Sequence, residues 1–159
     1  MIPAVREATT LPLIAAGGVG SGEGVLAAMV LGAEGVQIAT RFALTEESSA
    51  SSVFKDYCLS LREGDTKLLL KKLAPTRLVK NAFREAVEKA EDSGASAEDL
   101  RTLLGRGRAK KGIFEGDLEE GELEIGQVSA IISRRQSVAE VMNELVAAYQ
   151  RAAKKDYLF

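Results

Sequence analysis

The sequence predicts an α/β fold that opens on a parallel βαβ unit and continues into a mainly helical region. Three observations carry that expectation. Leu13-Ile14-Ala15-Ala16 and Gly35-Val36-Gln37-Ile38 are short apolar runs of the kind found in strands covered on both faces. About twenty residues separate them, enough for a single crossover helix. Beyond residue 46 the apolar spacing becomes helical and capping residues punctuate it.

Each element has its own local reason. Residues 2–8 read as the last part of a helix, and residues 11–16 as the first strand. Ser21 N-caps the next helix, and Glu23 sits well in its first turn. That helix runs to about Leu31, burying Val25, Leu26, Ala28 and Met29, and Gly32 ends it. Residues 34–38 form the second strand, reached by a right-handed crossover. Residues 48–61 are helical, with Val53, Phe54, Tyr57, Cys58 and Leu61 on one side. Residues 66–73 are a short strand or extended arm that Pro75 breaks, and residues 78–93 return to helix. Ser96, Glu98 and Asp99 open a helix to Leu104, followed by the loop Gly105-Arg106-Gly107-Arg108 and a helix near residues 127–132. Ser137 and Glu140 form a capping box for the last helix, residues 138–153.

Composition narrows the chemistry. The 159 residues are 46% apolar and 28% charged with a net charge of −2, the profile of a globular chain with no pull toward nucleic acid or an anionic membrane. The longest apolar run, residues 25–31, is too short to span a bilayer, and no leader-like segment is expected at Met1. A single cysteine, Cys58, suits a reducing cytoplasm and reads as a small buried apolar residue. Histidine is absent, so the commonest general base and metal ligand is missing, and no metal site is expected. Residues 66–111 carry twelve Lys/Arg against six Asp/Glu, whereas residues 112–126 carry six acids and no base. These stretches either neutralise each other and face solvent, or the basic one steers an anionic ligand.

The strand tips are the one chemical device in the chain. Ligands of parallel α/β folds bind at the carboxyl ends of strands. Gly17-Gly18 leave the first strand with no side chain to obstruct an anion, and the following helix adds its positive end. Ala39-Thr40 leave the second, offering a backbone N–H and a hydroxyl to the same anion. Gln37 is placed to hydrogen-bond a ligand ring or ribityl chain. Arg41 either neutralises charge there or pairs with Glu34 or Glu46. The glycines at 20, 22 and 24 fit neither a dinucleotide nor a nucleoside triphosphate loop.

These residues resemble a known family. Pro12-Leu13-Ile14-Ala15-Ala16-Gly17-Gly18-Val19, Ala27-Ala28-Met29-Val30-Leu31-Gly32-Ala33 and Gly35-Val36-Gln37-Ile38-Ala39-Thr40-Arg41-Phe42 are similar to the last two strand units of FMN-dependent (β/α)8 barrels. The specific likeness is to nitronate monooxygenases (2-nitropropane dioxygenases) and their relatives, the flavin-dependent enoyl-ACP reductases. Lys55, Asp65-Thr66, Pro75-Thr76-Arg77, Asn81, Gly116-Asp117, Gly121 and Gly126-Gln127 extend it over nearly the whole chain.

The resemblance implies an FMN site at Gly17, Gly18, Gln37, Ala39 and Thr40, with Ala39 where the family usually has Gly. It implies a barrel portion at residues 1–45 and a mainly helical region at 46–159 that packs on or covers the barrel. It also implies that the family's catalytic histidine and the other barrel half lie outside this sequence, in line with its lack of histidine, so no catalytic residue is assigned. The implied activity is oxidative denitrification of alkyl nitronates with dioxygen. The alternative is NAD(P)H-dependent reduction of an enoyl thioester, and a third reading is a non-catalytic helical module for packing or homo-oligomerisation. The tail, residues 151–159, with Lys154-Lys155 and Tyr157-Leu158-Phe159, is either a frayed end or a partner contact.

Overall fold

A computed structural model describes residues 1–155. Tyr157, Leu158 and Phe159, the apolar part of the tail, lie outside the described residues. The chain divides into two compact units, Met1–Glu47 with the segment from Arg135 onward, and Ser48–Arg134.

The first unit begins with α1 (Ile2–Ala8), β1 (Ile14–Ala16), α2 (Gly22–Val30), β2 (Gly35–Gln37) and the single turn α3 (Thr40–Ala43). It is completed by α7 (Val138–Ala153) at the far end of the sequence. Strands β1 and β2 pair in parallel, with Ile14 opposite Gly35, Ala15 opposite Val36 and Ala16 opposite Gln37. Ser21 accepts from the Gly24 N–H at 3.1 Å and starts α2, and Gly32, at φ +108°, follows its end. Arg6 of α1 lies across Gly32 and reaches Glu34 at 2.7 Å, which fixes α1 to the α2–β2 turn.

Helix α7 starts at the predicted capping box. The Ser137 hydroxyl accepts from the Glu140 N–H, and the Glu140 carboxylate accepts from the Ser137 N–H at 2.7 Å. It buries Val141, Leu145, Ala148 and Ala152 and packs on α2. Gly22 makes the close approach possible, because a Cβ there would lie 2.3 Å from the Leu145 carbonyl oxygen and the Tyr149 nitrogen.

Two expectations fail here, for one reason. The first strand is three residues long rather than six, and Leu11 and Ile14 are 71% and 53% exposed instead of covered. Met29 is also exposed, and only Ala28 among the four predicted core positions of α2 is fully buried. The sheet has two strands, so nothing among the described residues covers its second face.

The second unit holds α4 (Ser52–Leu59), β3 (Thr66–Leu69), β4 (Thr76–Val79), α5 (Ala82–Asp92) and α6 (Ala97–Leu104). A π-helical turn, Lys110–Phe114, and a 3-10 helix, Gln127–Ile131, follow. Strands β3 and β4 are antiparallel, and Leu69, Leu70, Leu78, Phe83, Val87 and Leu100 form the core beside them. The predicted helix from residue 78 is corrected: residues 76–79 form a strand, and Asn81 caps a helix that begins at Ala82. Pro75 favours extended backbone before it, and Val79 then donates to the Leu123 carbonyl at 3.0 Å, a partner too distant in sequence to be read locally.

Three ion pairs join the basic stretch to the acidic one. Lys110 meets Glu115 at 3.1 Å, Lys111 meets Asp117 at 2.9 Å and Arg108 meets Glu120 at 3.5 Å. Arg108 also lies over the Phe83 ring, 4.5 Å from its centre.

Candidate cofactor site

Register alone brings the two strand tips together. Ala16 is opposite Gln37 in a parallel ladder, so Gly17-Gly18 and Ile38-Ala39-Thr40 leave the same end of the sheet on adjacent strands. Adjacent strands run about 5 Å apart, within the span of one phosphate group and its donors. Gly17 and Gly18 have φ of +88° and +74°, which an L side chain rarely adopts. A Cβ on either would meet nothing within 4 Å, so the space beside both is open. Ala39 is exposed, and Thr40 begins α3.

Gln37 shares a sheet face with Ile14 and Ala16, because residues two apart point the same way and a Cβ on Gly35 would lie 3.0 Å from Ile14 Cδ1. Val36, on the other face, lines a cavity of about 510 Å³ with Val25 and Met29 of α2 and Leu145 and Tyr149 of α7. Gln37 is therefore exposed on the open face. A second cavity of about 520 Å³ runs along β1 to Gly17, Gly18 and Val19, walled by Val5 of α1 and Ala27 and Leu31 of α2.

Sequence reasoning missed the polar network behind these tips. Arg41 is 6% exposed. Its Nη1 donates to the Gly20 carbonyl at 3.3 Å, and its Nη2 donates to Gln136 Oε1 at 2.9 Å and meets Glu144 Oε1 at 2.8 Å. Gln136 Nε2 in turn donates to Glu144 Oε2 at 2.8 Å. The carboxylate that Arg41 meets is thus Glu144, while Glu34 is engaged by Arg6. The one local signal was a polar Gln136 just ahead of the Ser137 capping box.

The family-like residues of the second unit build loops. Asn81 caps α5 through Arg84 N–H at 2.8 Å and donates to the Gly121 carbonyl at 2.8 Å. Asp117 accepts from the Glu120 and Glu119 N–H groups; the Glu120 bond first, then Lys111, bring its carboxyl down to about 2. Lys55 Nζ donates to the Ser48 carbonyl at 2.7 Å. Cys58 is fully buried, and burial pushes its thiol up to about 12, which removes it as a nucleophile. Among the described residues no cluster of acids and cysteine is suited to a metal, and no helix is long and apolar enough to cross a membrane.

Known proteins resemble this chain over most of its length. A family model described as nitronate monooxygenase matches residues 1–148. A probable nitronate monooxygenase of Staphylococcus aureus is 40% identical over 94 residues, which cover 57% of this chain and 26% of that protein. The structure of FabK from Thermotoga maritima superposes with a TM-score of 0.88 and 28% identity, over 96% of this chain and 49% of the other. Nitroalkane oxidase from Streptomyces ansochromogenes gives 0.77 and 28%, over 96% and 43%. The chain thus spans about a quarter of the curated relative it matches and about half of each solved structure. With nearly its whole length matched, the chain belongs to the nitronate monooxygenase family.

Proposed function

We propose that the chain supplies the phosphate-binding end of an FMN-dependent oxidoreductase, built as the last two strand units of a (β/α)8 barrel. The observation that supports this reading best is the pair of adjacent parallel tips, one of which carries two left-handed glycines with open space beside them. The residues fit the group. Gly17, Gly18, Ala39 and Thr40 would hold the phosphate, and Gln37 would face the ribityl chain or the ring. Ala39 stands where the family usually has Gly, and because it is exposed its methyl group leaves room for an anion.

The remaining strands would come from a barrel half that this sequence does not contain, and with them the catalytic base. A barrel of this type typically needs about 250 residues, and both β1 and β2 have an edge unpaired among the described residues. When bound, the flavin would supply the redox chemistry of oxidative denitrification, in which an alkyl nitronate and dioxygen, the source of the new carbonyl oxygen, give a carbonyl compound and nitrite. This chain's residues bind and orient the flavin. The alternative is reduction of an enoyl thioester, and part of the basic stretch that would suit an acidic carrier is paired with the acidic stretch. The reading assumes the reducing cytoplasm that a buried thiol tolerates.

Titration of the chain with FMN and with riboflavin, which lacks the phosphate, tests the site. Wild type is expected to prefer FMN, and Gly18→Val is expected to weaken FMN about tenfold or more while leaving riboflavin unchanged, since a β-branched side chain forces φ out of the left-handed region and re-aims the N–H. Equal affinity for both ligands in wild type would remove the phosphate site. Oxygen uptake with an alkyl nitronate, against NAD(P)H consumption with an enoyl thioester, separates the two substrates once the barrel is complete. No flavin retention together with a stable homodimer would favour the non-catalytic module.

A further inference from the structure

Arg41 is a buried cation that the cofactor reading leaves without a task. Its guanidinium joins three places distant in sequence: the Gly20 carbonyl in the β1–α2 turn, Gln136 just before α7, and Glu144 on α7. Its own backbone follows Thr40 at the tip of β2. One side chain thus links both tips, and the anchor behind it is Glu144, which Gln136 also holds.

Stability alone is a poor account of this arrangement. A buried guanidinium costs desolvation unless its donors are satisfied, and no described residue accepts from the buried Nε of Arg41. The Glu144 side chain is 47% exposed and would rehydrate if Arg41 were removed. An apolar side chain of similar length at 41 would leave the buried Gln136 Oε1 and the Gly20 carbonyl without that donor, a local cost confined to the first unit. What it would also lose is the tie between tips: Gly17 and Gly18 occupy left-handed backbone with open space at their Cβ positions, and the bond from Arg41 to the Gly20 carbonyl holds the end of that turn from the β2 side.

We propose that Arg41 is a positioning residue that fixes the Gly17–Gly20 turn against the tip of β2, with Gln136 and Glu144 as its anchors. This rests on the phosphate-site reading for its functional meaning. It predicts that α7, through Glu144, sets how well the cup is formed.

The test uses the full chain with two readouts. Hydrogen exchange at the amides of residues 17–24 reports the turn, and thermal unfolding reports the whole fold. Arg41→Met is expected to speed exchange in 17–24 about tenfold while leaving the unfolding midpoint within a few degrees and exchange in α5 and α6 unchanged. Glu144→Gln, which leaves Arg41 and the fold in place, is expected to show a smaller change in the same segment. Arg41→Lys should be intermediate, because an ammonium cannot span the three acceptors as the guanidinium fork does. FMN affinity should fall about tenfold in Arg41→Met, with riboflavin unaffected.

A uniform loss of protection across the molecule, or exchange in 17–24 equal in wild type, Arg41→Met and Glu144→Gln, would overturn the proposal. If wild type binds no FMN, the phosphate reading fails. The exchange data then still decide whether Arg41 holds the turn.

Discussion

Gly22 and Gly17 show how differently two glycines of one loop region are constrained. At Gly22 the backbone is ordinary helix, and the constraint is space: a Cβ would sit 2.3 Å from backbone atoms of Leu145 and Tyr149. Backbone cannot rotate away as a side chain tip can, so α2 and α7 would have to separate. Gly22→Ala is expected to destabilise the first unit by about 2–4 kcal/mol, measured by urea unfolding, despite the better helix propensity of Ala. At Gly17 the space is open and the constraint is φ +88°. An Ala there carries only the left-handed penalty of about 1–2 kcal/mol. A cost at Gly22 no larger than at Gly17 would show that the helices are not in the contact described. The sequence marks both positions as glycine, yet only Gly17-Gly18, at a strand tip, is readable as functional. Gly22 depends on a helix more than a hundred residues away.

Elements were legible where their signals are local. Ser21, the Ser96–Asp99 pair and the Ser137–Glu140 box each cap the helix they foretell. The signals fail where the partner is remote, as for β4, whose ladder is completed by β3 and by Leu123, and for the π-helical turn at 110–114. The segment after that turn carries the clearest pH-sensitive group. Glu122 is 8% exposed and its backbone N–H donates to the Arg108 carbonyl. Gly112 and Gly121 pack against each other beside it. Burial first, and the neighbouring Glu124 second, raise its carboxyl to about 7. The folded state therefore holds a proton that the unfolded chain releases near its ordinary value of 4.5. Stability from this group is complete below pH 4.5 and is lost as pH rises toward and through 7. Glu122→Gln should flatten that slope, giving a variant more stable than wild type at pH 8, by about 3 kcal/mol at most, and little different at pH 4. Urea midpoints at the two pH values decide it; a wild-type stability that rises between pH 4.5 and 7 and stays unchanged by the substitution would show that Glu122 ionises freely.

At the scale of the whole molecule, each unit has a capped and packed helical framework, yet the first unit leaves its sheet unfinished. Leu11, Ile14, Val30 and Leu31 are 71%, 53%, 77% and 49% exposed, and the two strands present open edges. Exposed apolar surface beside unpaired strand edges is an invitation to association. In relatives about twice as long, the additional chain has room to cover such a face, but this chain has no such cover among its described residues. The isolated chain is accordingly expected to bind a hydrophobic dye and to associate with rising concentration in sedimentation. Ile14→Lys tests the role of the open face directly. Ile14 lies on the sheet face opposite Val36 and is 53% exposed, so a lysine there meets solvent and leaves the α2–α7 packing alone. It should reduce dye binding and shift the association to higher concentration, with an unchanged helical circular dichroism signal. On the barrel reading proposed above, the same substitution should also impair assembly with the strands that would complete the barrel. A variant that still associates as wild type does would move the sticky surface elsewhere, to the 510 Å³ groove between α2 and α7. Met142→Glu, at a half-exposed position on that groove, would then be the substitution that abolishes it.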